Sequence, residues 1–195
     1  MHIQLIKTRL EEASQLLNDY LSDAENIEKI SQAAQMISEA IVHGHKIISC
    51  GNGGSMSDAM HFAEELSGRF RDHRRSLPAI AISDPSHITC VANDYGFDHI
   101  FSRFVEGLGN HGDVLLAIST SGNSPNVVNA VLQAREKGMK VIALTGKSGG
   151  KLKTMCDVSL HVDYQGYSDR IQEIHIKIIH ILIEVIEKLC PDKEV

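Results

Sequence analysis

Residues 113–125 read Asp-Val-Leu-Leu-Ala-Ile-Ser-Thr-Ser-Gly-Asn-Ser-Pro. From Val114 to Ile118 the run is continuously apolar and too short for a helix. A strand that is apolar on both faces belongs in a parallel sheet covered on both sides. Ser119 to Asn123 form a small polar loop around Gly122. Ser124 is then a good helix N-cap and Pro125 suits the first helical position, so a helix is expected from there to about Lys137. The unit is strand, loop, helix.

The same rhythm continues on both sides. Downstream, Lys140-Val-Ile-Ala-Leu144 is a second apolar run, followed by Thr145-Gly-Lys-Ser-Gly-Gly150. Asp157-Val-Ser-Leu-His-Val162 is a weaker strand, and a long helix runs from about Asp169 to Leu189. Upstream, Lys46-Ile-Ile-Ser-Cys50 leads into Gly51-Asn-Gly-Gly-Ser55 and a helix from Asp58 to Leu66. Pro78-Ala-Ile-Ala-Ile82 is one more run, ended by Ser83-Asp84. Five such strands alternating with helices predict an α/β fold. It is a three-layer, doubly wound, five-stranded parallel sheet of the flavodoxin-like kind.

The first 45 residues read as a helical extension. Ile3, Ile6, Leu10, Leu16, Leu17 and Leu21 recur at helical spacing. Asp23 can cap a second helix carrying Ile27, Ile30, Met36, Ile37 and Ile41, which stops near Gly44. Both have apolar faces and no catalytic motif. Those faces pack either on the domain or on another subunit. No repeat, low-complexity tract or long linker interrupts residues 1–195, so a single domain is expected.

Composition narrows the function. The chain has 195 residues, 43% apolar and 23% charged, with a net charge of −6. A chain this long can bury a real core. Its acidic balance lacks the positive field that nucleic-acid or anionic-membrane binding normally needs. No segment reaches the roughly 18 uninterrupted apolar residues of a membrane span, and no signal peptide is legible. The four cysteines, at 50, 90, 156 and 190, form no C-x-x-C pair. They are expected to be reduced thiols in a cytoplasmic protein.

Ligands of open α/β sheets bind beyond the carboxyl ends of the strands. Three polar, glycine-rich loops are expected there: GNGGS, STSGNS and TGKSGG. Hydroxyls of Ser119, Thr120, Ser121 and Ser124, a flexible glycine turn and a helix N-terminus together make an anion site. The loop holds no P-loop lysine, so a single phosphate on a small molecule fits better than a nucleoside triphosphate. A serine-rich turn capping its own helix is the plainer reading. GNGGS is not a dinucleotide fingerprint, because Met56 stands at the third glycine position. Its glycines suit close backbone approach to a ligand. His61 and Glu65, four apart, share a helix face. Gln172 and His180 lie eight apart on the last helix, about 80° around its axis, and could face the same site. His180, within Ile178-Ile-His-Ile-Leu-Ile183, is expected to be buried. Asn93-Asp94 reads as an ordinary turn.

Together these segments resemble the sugar isomerase (SIS) domain family, and within it the phosphoheptose isomerases. The resemblance rests on CGNGGSMSDAMHFAEELSGRF, SHITCVANDYGFDHIFSRF, GDVLLAISTSGNSPNVVNAV and YSDRIQEIHIKIIHILIEVIE. Met56 departs from a His common there in relatives, outside the ligand positions. The resemblance implies a homotetramer with active sites between subunits. It implies a phosphate cradle of Ser119, Thr120, Ser121 and Ser124, helped by Ser55. Asn52, Gly53 and Gly54 would form the substrate loop, with Asn93 and Asp94 as further sugar contacts. Arg69 and Asp169 would add polar contacts. Glu65 would be the general base and His180 its acid–base partner. His61, Glu65, Gln172 and His180 would also be ligands of one zinc ion.

The implied reaction turns the ketose sedoheptulose 7-phosphate into the aldose D-glycero-D-manno-heptose 7-phosphate through an enediol. It would open the route to the ADP-heptose of lipopolysaccharide core. Three other readings compete: a non-catalytic binding protein of the DnaA initiator-associating type, a sugar-phosphate-sensing module, and an isomerase for another phosphosugar.

Overall fold

The computed structural model describes residues 2–190. Helix α1 spans His2–Ser22 and α2 spans Ala24–Val42. They are followed by β1 (Ile47–Gly51), α3 (Gly54–Ser67), β2 (Ala79–Ala81), α4 (Pro85–Tyr95) and α5 (Ile100–Leu108), the last two joined by a 3₁₀ turn. Then come β3 (Val114–Ser119), α6 (Pro125–Glu136), β4 (Lys140–Gly146), α7 (Leu152–Met155), β5 (Val158–Val162) and α8 (Ser168–Leu189). All strand pairings are parallel, in the order β2-β1-β3-β4-β5. This is the expected doubly wound sheet.

The core lies in two layers, one on each face. Val114, Leu116 and Ile118 of β3 point toward α2, α3 and α8, while Leu115 and Ala117 point toward α4, α5 and α6. Every residue of β1 and β3 is buried, which is why both strands read as continuous apolar runs. Strand β2 is a short, half-exposed edge.

The N-terminal helices divide. Asp23 caps α2 by accepting from the Glu25 backbone N–H at 3.0 Å. Ile30, Ala33, Ala34, Ile37 and Ile41 of α2 are buried against α8 and β5. Helix α1 buries only Leu16 and Tyr20, leaving Ile3, Leu5, Ile6 and Leu10 more than half exposed. Among the described residues, no helix is long and apolar enough to cross a membrane.

Register brings the loops together. Gly51 pairs with Ile118, and Ser119 with Thr145. The three glycine-rich loops therefore leave the sheet at one level, at the reversal of strand order between β1 and β3.

Candidate active site

In the STSGNSP loop, Ser119 is buried and its hydroxyl lies 3.1 Å from that of Ser124 and 3.4 Å from that of Ser121. Hydroxyl protons rotate, so the three can turn toward one acceptor. Ser124 occupies the N-cap position of α6, yet its side chain makes no capping bond. The self-capping turn is thus not what forms, and the hydroxyl remains available. Thr120 donates to Ser168 Oγ at 3.2 Å, tying the loop to the start of α8.

The TGKSGG loop acts as a buttress. Gly122 has φ +64°, and a Cβ there would fall 1.9 Å from the Gly149 carbonyl oxygen, so only glycine fits. Asn123 Oδ1 accepts from the Lys151 backbone N–H at 3.1 Å, and Gly122 O accepts from Leu152 N–H.

The GNGGS loop joins the same framework. The amides of Asn52 and Asn126 exchange two hydrogen bonds of 2.9 Å each. Asn126 is buried one residue inside α6, and sequence reading missed it. A polar residue directly after Pro125 was the available signal. Gly53 precedes α3, and Ser55 is buried in its first turn. A Cβ on Gly54 would lie 2.5 Å from Gln172 Nε2, so the missing side chain is what admits the Gln172 amide.

Two turns along both helices, α3 and α8 meet again. His61 Nε2 lies 2.9 Å from His180 Nε2 and 3.7 Å from Glu65 Oε1. Glu64 Oε1 sits 3.2 Å from His61 Nδ1. An Nδ1–H donated to Glu64 leaves Nε2 with a free lone pair. The ligand atoms of His61, Glu64 and Glu65 all lie within 4.8 Å of one another. Sequence reading had not placed Glu64, an exposed carboxylate one residue before Glu65.

His180 is half-exposed rather than buried. Within the run Ile178, Ile179, Leu182 and Ile183 turn inward, while Ile181 is exposed and His180 sits beside Phe70, with ring centroids 5.7 Å apart. Desolvation holds its pKa below the ordinary value, helped by His61 and opposed by Glu65. The buried histidine is His175, fully enclosed, with Nε2 3.1 Å from the Thr145 carbonyl oxygen.

Asp58 was also missed. It lies one turn before His61 on the same side of α3, buried, with Oδ2 unpartnered. Burial pushes its carboxyl up to about 6.

The remaining sites are peripheral within one chain. Asn93 and Asp94 form the exposed last turn of α4, not a loop turn, with Asn93 Nδ2 donating to Asp94 at 2.7 Å. Arg69, just beyond α3, is exposed. Asp169 is exposed in the first turn of α8 and accepts from the Arg170 N–H at 2.9 Å.

The α/β sheet thus carries polar, glycine-rich loops at its strand ends, with His61 and Glu65 of α3 beside His180 of α8 and Gln172 over Gly54. The chain belongs to the SIS domain family, which its residues 10–146 match. The phosphoheptose isomerase of Pectobacterium atrosepticum is 59% identical over 99% of this chain and all of that protein. The solved phosphoheptose isomerase of Neisseria gonorrhoeae superposes with a TM-score of 0.90. It is 41% identical and covers 96% of this chain and all of its own. That of Francisella tularensis gives 0.91 at 39% identity, over 96% of this chain and 99% of its own. Within the SIS domains, the chain therefore stands among the phosphoheptose isomerases, which are aldose–ketose isomerases.

Proposed function

We propose that this chain interconverts sedoheptulose 7-phosphate and D-glycero-D-manno-heptose 7-phosphate, with Glu65 and His180 moving the protons. The supporting observation is that His61, Glu65 and His180 lie together where α3 meets α8, while the hydroxyl loop lies at the strand ends. Isomerisation takes a proton from C1, beside the C2 carbonyl, and returns one at C2. It needs a base at carbon, an acid at oxygen, and separate positioning of the distant phosphate.

Glu65 is the base in this reading. Its carboxylate is largely enclosed, at 17% side-chain exposure. His180, whose pKa partial desolvation holds below the ordinary value, can as a neutral imidazole donate to one substrate oxygen and accept from another. Ser119, Thr120, Ser121 and Ser124 hold the phosphate, with Ser55 beside them. The backbone of Asn52, Gly53 and Gly54 lies along the sugar. Asn93, Asp94, Arg69 and Asp169 add contacts to the sugar.

His61, Glu65 and His180 are of the donor types zinc takes, and His61 Nε2 lies 2.9 Å from His180 Nε2 and 3.7 Å from Glu65 Oε1. Gln172 stands about two turns away, over Gly54, so its amide would have to swing along α8 toward the imidazoles to serve as the fourth ligand. Bound there, zinc would polarise the carbonyl as a Lewis acid. A carboxylate held by zinc is a poor free base, so Glu65 would have to exchange between the two roles.

The uncovered apolar face of α1 supports assembly into a homotetramer with sites between subunits. That arrangement would bring residues such as Arg69, Asn93 and Asp94 to a neighbour's sugar. The cysteines are free thiols, in keeping with a cytoplasmic enzyme that opens the route to ADP-heptose and lipopolysaccharide core.

The test is to incubate the protein with sedoheptulose 7-phosphate and follow the aldose by NMR, with and without a chelator. Aldose formation is expected. Binding of the sugar phosphate without turnover would favour the non-catalytic reading.

A further inference from the structure

Arg74 lies in the segment after α3, and neither the phosphate loop nor the proton-transfer pair uses it. Its side chain is only 8% exposed. Nη2 donates to the Glu65 carbonyl oxygen at 2.6 Å. Nη1 donates to the carbonyl oxygens of Leu66 at 2.8 Å, Gly68 at 3.0 Å and Arg75 at 3.0 Å. Nε donates to Glu187 Oε1 at 2.8 Å.

These contacts join two particular places. The last carbonyls of a helix have no partners within it and carry partial negative charge. The guanidinium donates to the Glu65 and Leu66 carbonyls of the final turn of α3, the turn that carries Glu65; Leu66 O also accepts from Leu77 N–H at 3.0 Å. At its other edge it grips Glu187 on α8. Glu187 is seven residues, or about two turns, beyond His180, on nearly the same line along the helix.

We propose that Arg74 is a positioning residue for isomerisation, fixing the turn of α3 that bears Glu65 against the stripe of α8 that bears His180. The inference rests on the assignment of Glu65 and His180 above. The phosphate is held by a loop on other elements, so loosening the clamp leaves sugar-phosphate binding in place and disturbs proton transfer. Transfer from carbon is sensitive to displacements of about 1 Å, which cost on the order of 100-fold. A lysine cannot replace this residue, because its single ammonium lacks the planar fork that serves Glu187 and the carbonyls at once.

Arg71 provides the control. It pairs with Glu184 of α8 at 2.8 Å, but is 59% exposed and has no carbonyl contact with α3 among the described residues.

The experiment measures kcat, KM and thermal midpoint for the wild type, Arg74→Lys, Glu187→Gln and Arg71→Ala, with all assays well below each midpoint. Arg74→Lys is expected to lower kcat by about 10- to 100-fold with KM within about twofold. Glu187→Gln, which keeps an acceptor, should lose less, and Arg71→Ala, which breaks an ion pair between the same elements but touches no α3 carbonyl, should lose less kcat than Arg74→Lys. A merely structural role would lower the midpoint without moving kcat of the folded enzyme. Wild-type kcat in Arg74→Lys, or a raised KM at unchanged kcat, would overturn the inference. An inactive wild type would instead overturn the Glu65–His180 assignment beneath it.

Discussion

Ser124 sits where a serine usually caps a helix, yet makes no capping bond. Its hydroxyl meets Ser119 instead, within reach of whatever the loop holds. Ser124→Ala should therefore cost less stability than the typical loss of about 1 kcal/mol for an N-cap. It should weaken binding of the phosphorylated sugar by about tenfold, the worth of one hydrogen bond to a charged group. Calorimetric titration with the sugar phosphate checks this, and unchanged affinity would remove Ser124 from the cradle. His175 makes a different kind of prediction. Burial lowers its pKa from 6.5 to about 4, partly offset by its bond to Thr145. Between those values the unfolded chain binds a proton that the folded chain refuses. Stability from this group is complete above pH 6.5 and is lost as pH falls toward 4. The loss amounts to on the order of 3 kcal/mol. Denaturation curves from pH 7 to pH 4 should show the decline, and His175→Gln should flatten it. An equally steep decline in the variant would assign it to other groups.

Helices α3 and α8 carry the proposed site between them, and at Gly54 the absence of a side chain makes room for the Gln172 amide. Gly54→Ala would drive a Cβ into the Gln172 amide, the flexible end of that side chain. The fold should hold, with the thermal midpoint shifted by no more than a few degrees, while turnover falls at least about tenfold. Unchanged turnover would mean that Gln172 need not lie over the loop. The strands and their loops were legible because buried parallel strands are apolar on both faces and glycine-rich turns interrupt them sharply. Helix α5 is legible in principle, since Ile100, Phe101, Phe104, Val105 and Leu108 recur at helical spacing, but no element was assigned there from the sequence; α4 buries only Val91 and leaves a weaker pattern. His61 and Glu65 could be paired by spacing alone, and the structure sets them 3.7 Å apart. The meeting of His61 with His180, 119 residues apart in the chain, came from resemblance, because no local pattern encodes it. Arg74 and Asn126 escaped notice for a related reason. Their partners are backbone carbonyls and a distant amide, which leave no trace in residue spacing.

In the whole molecule, α2 packs on the domain along its length, while α1 joins the core through Leu16 and Tyr20 and leaves its first half uncovered. Ile6 and Leu10, one turn apart on α1, are 58% and 67% exposed. Large uncovered apolar faces mark contact surfaces. Replacing both with Asp should reduce the mass measured by light scattering from the proposed tetramer to a smaller species. Any site that draws residues from a neighbour would then lose activity as well. A variant that kept the wild-type mass would show that α1 is not the assembly surface. Isomerisation by this mechanism requires Glu65 to act on substrate carbon. Turnover of sedoheptulose 7-phosphate by Glu65→Gln, followed by NMR at matched sugar-phosphate occupancy, tests that most directly. The account predicts a folded protein that binds the sugar phosphate and has lost at least about 100-fold in rate. Near-wild-type turnover in that variant would contradict it.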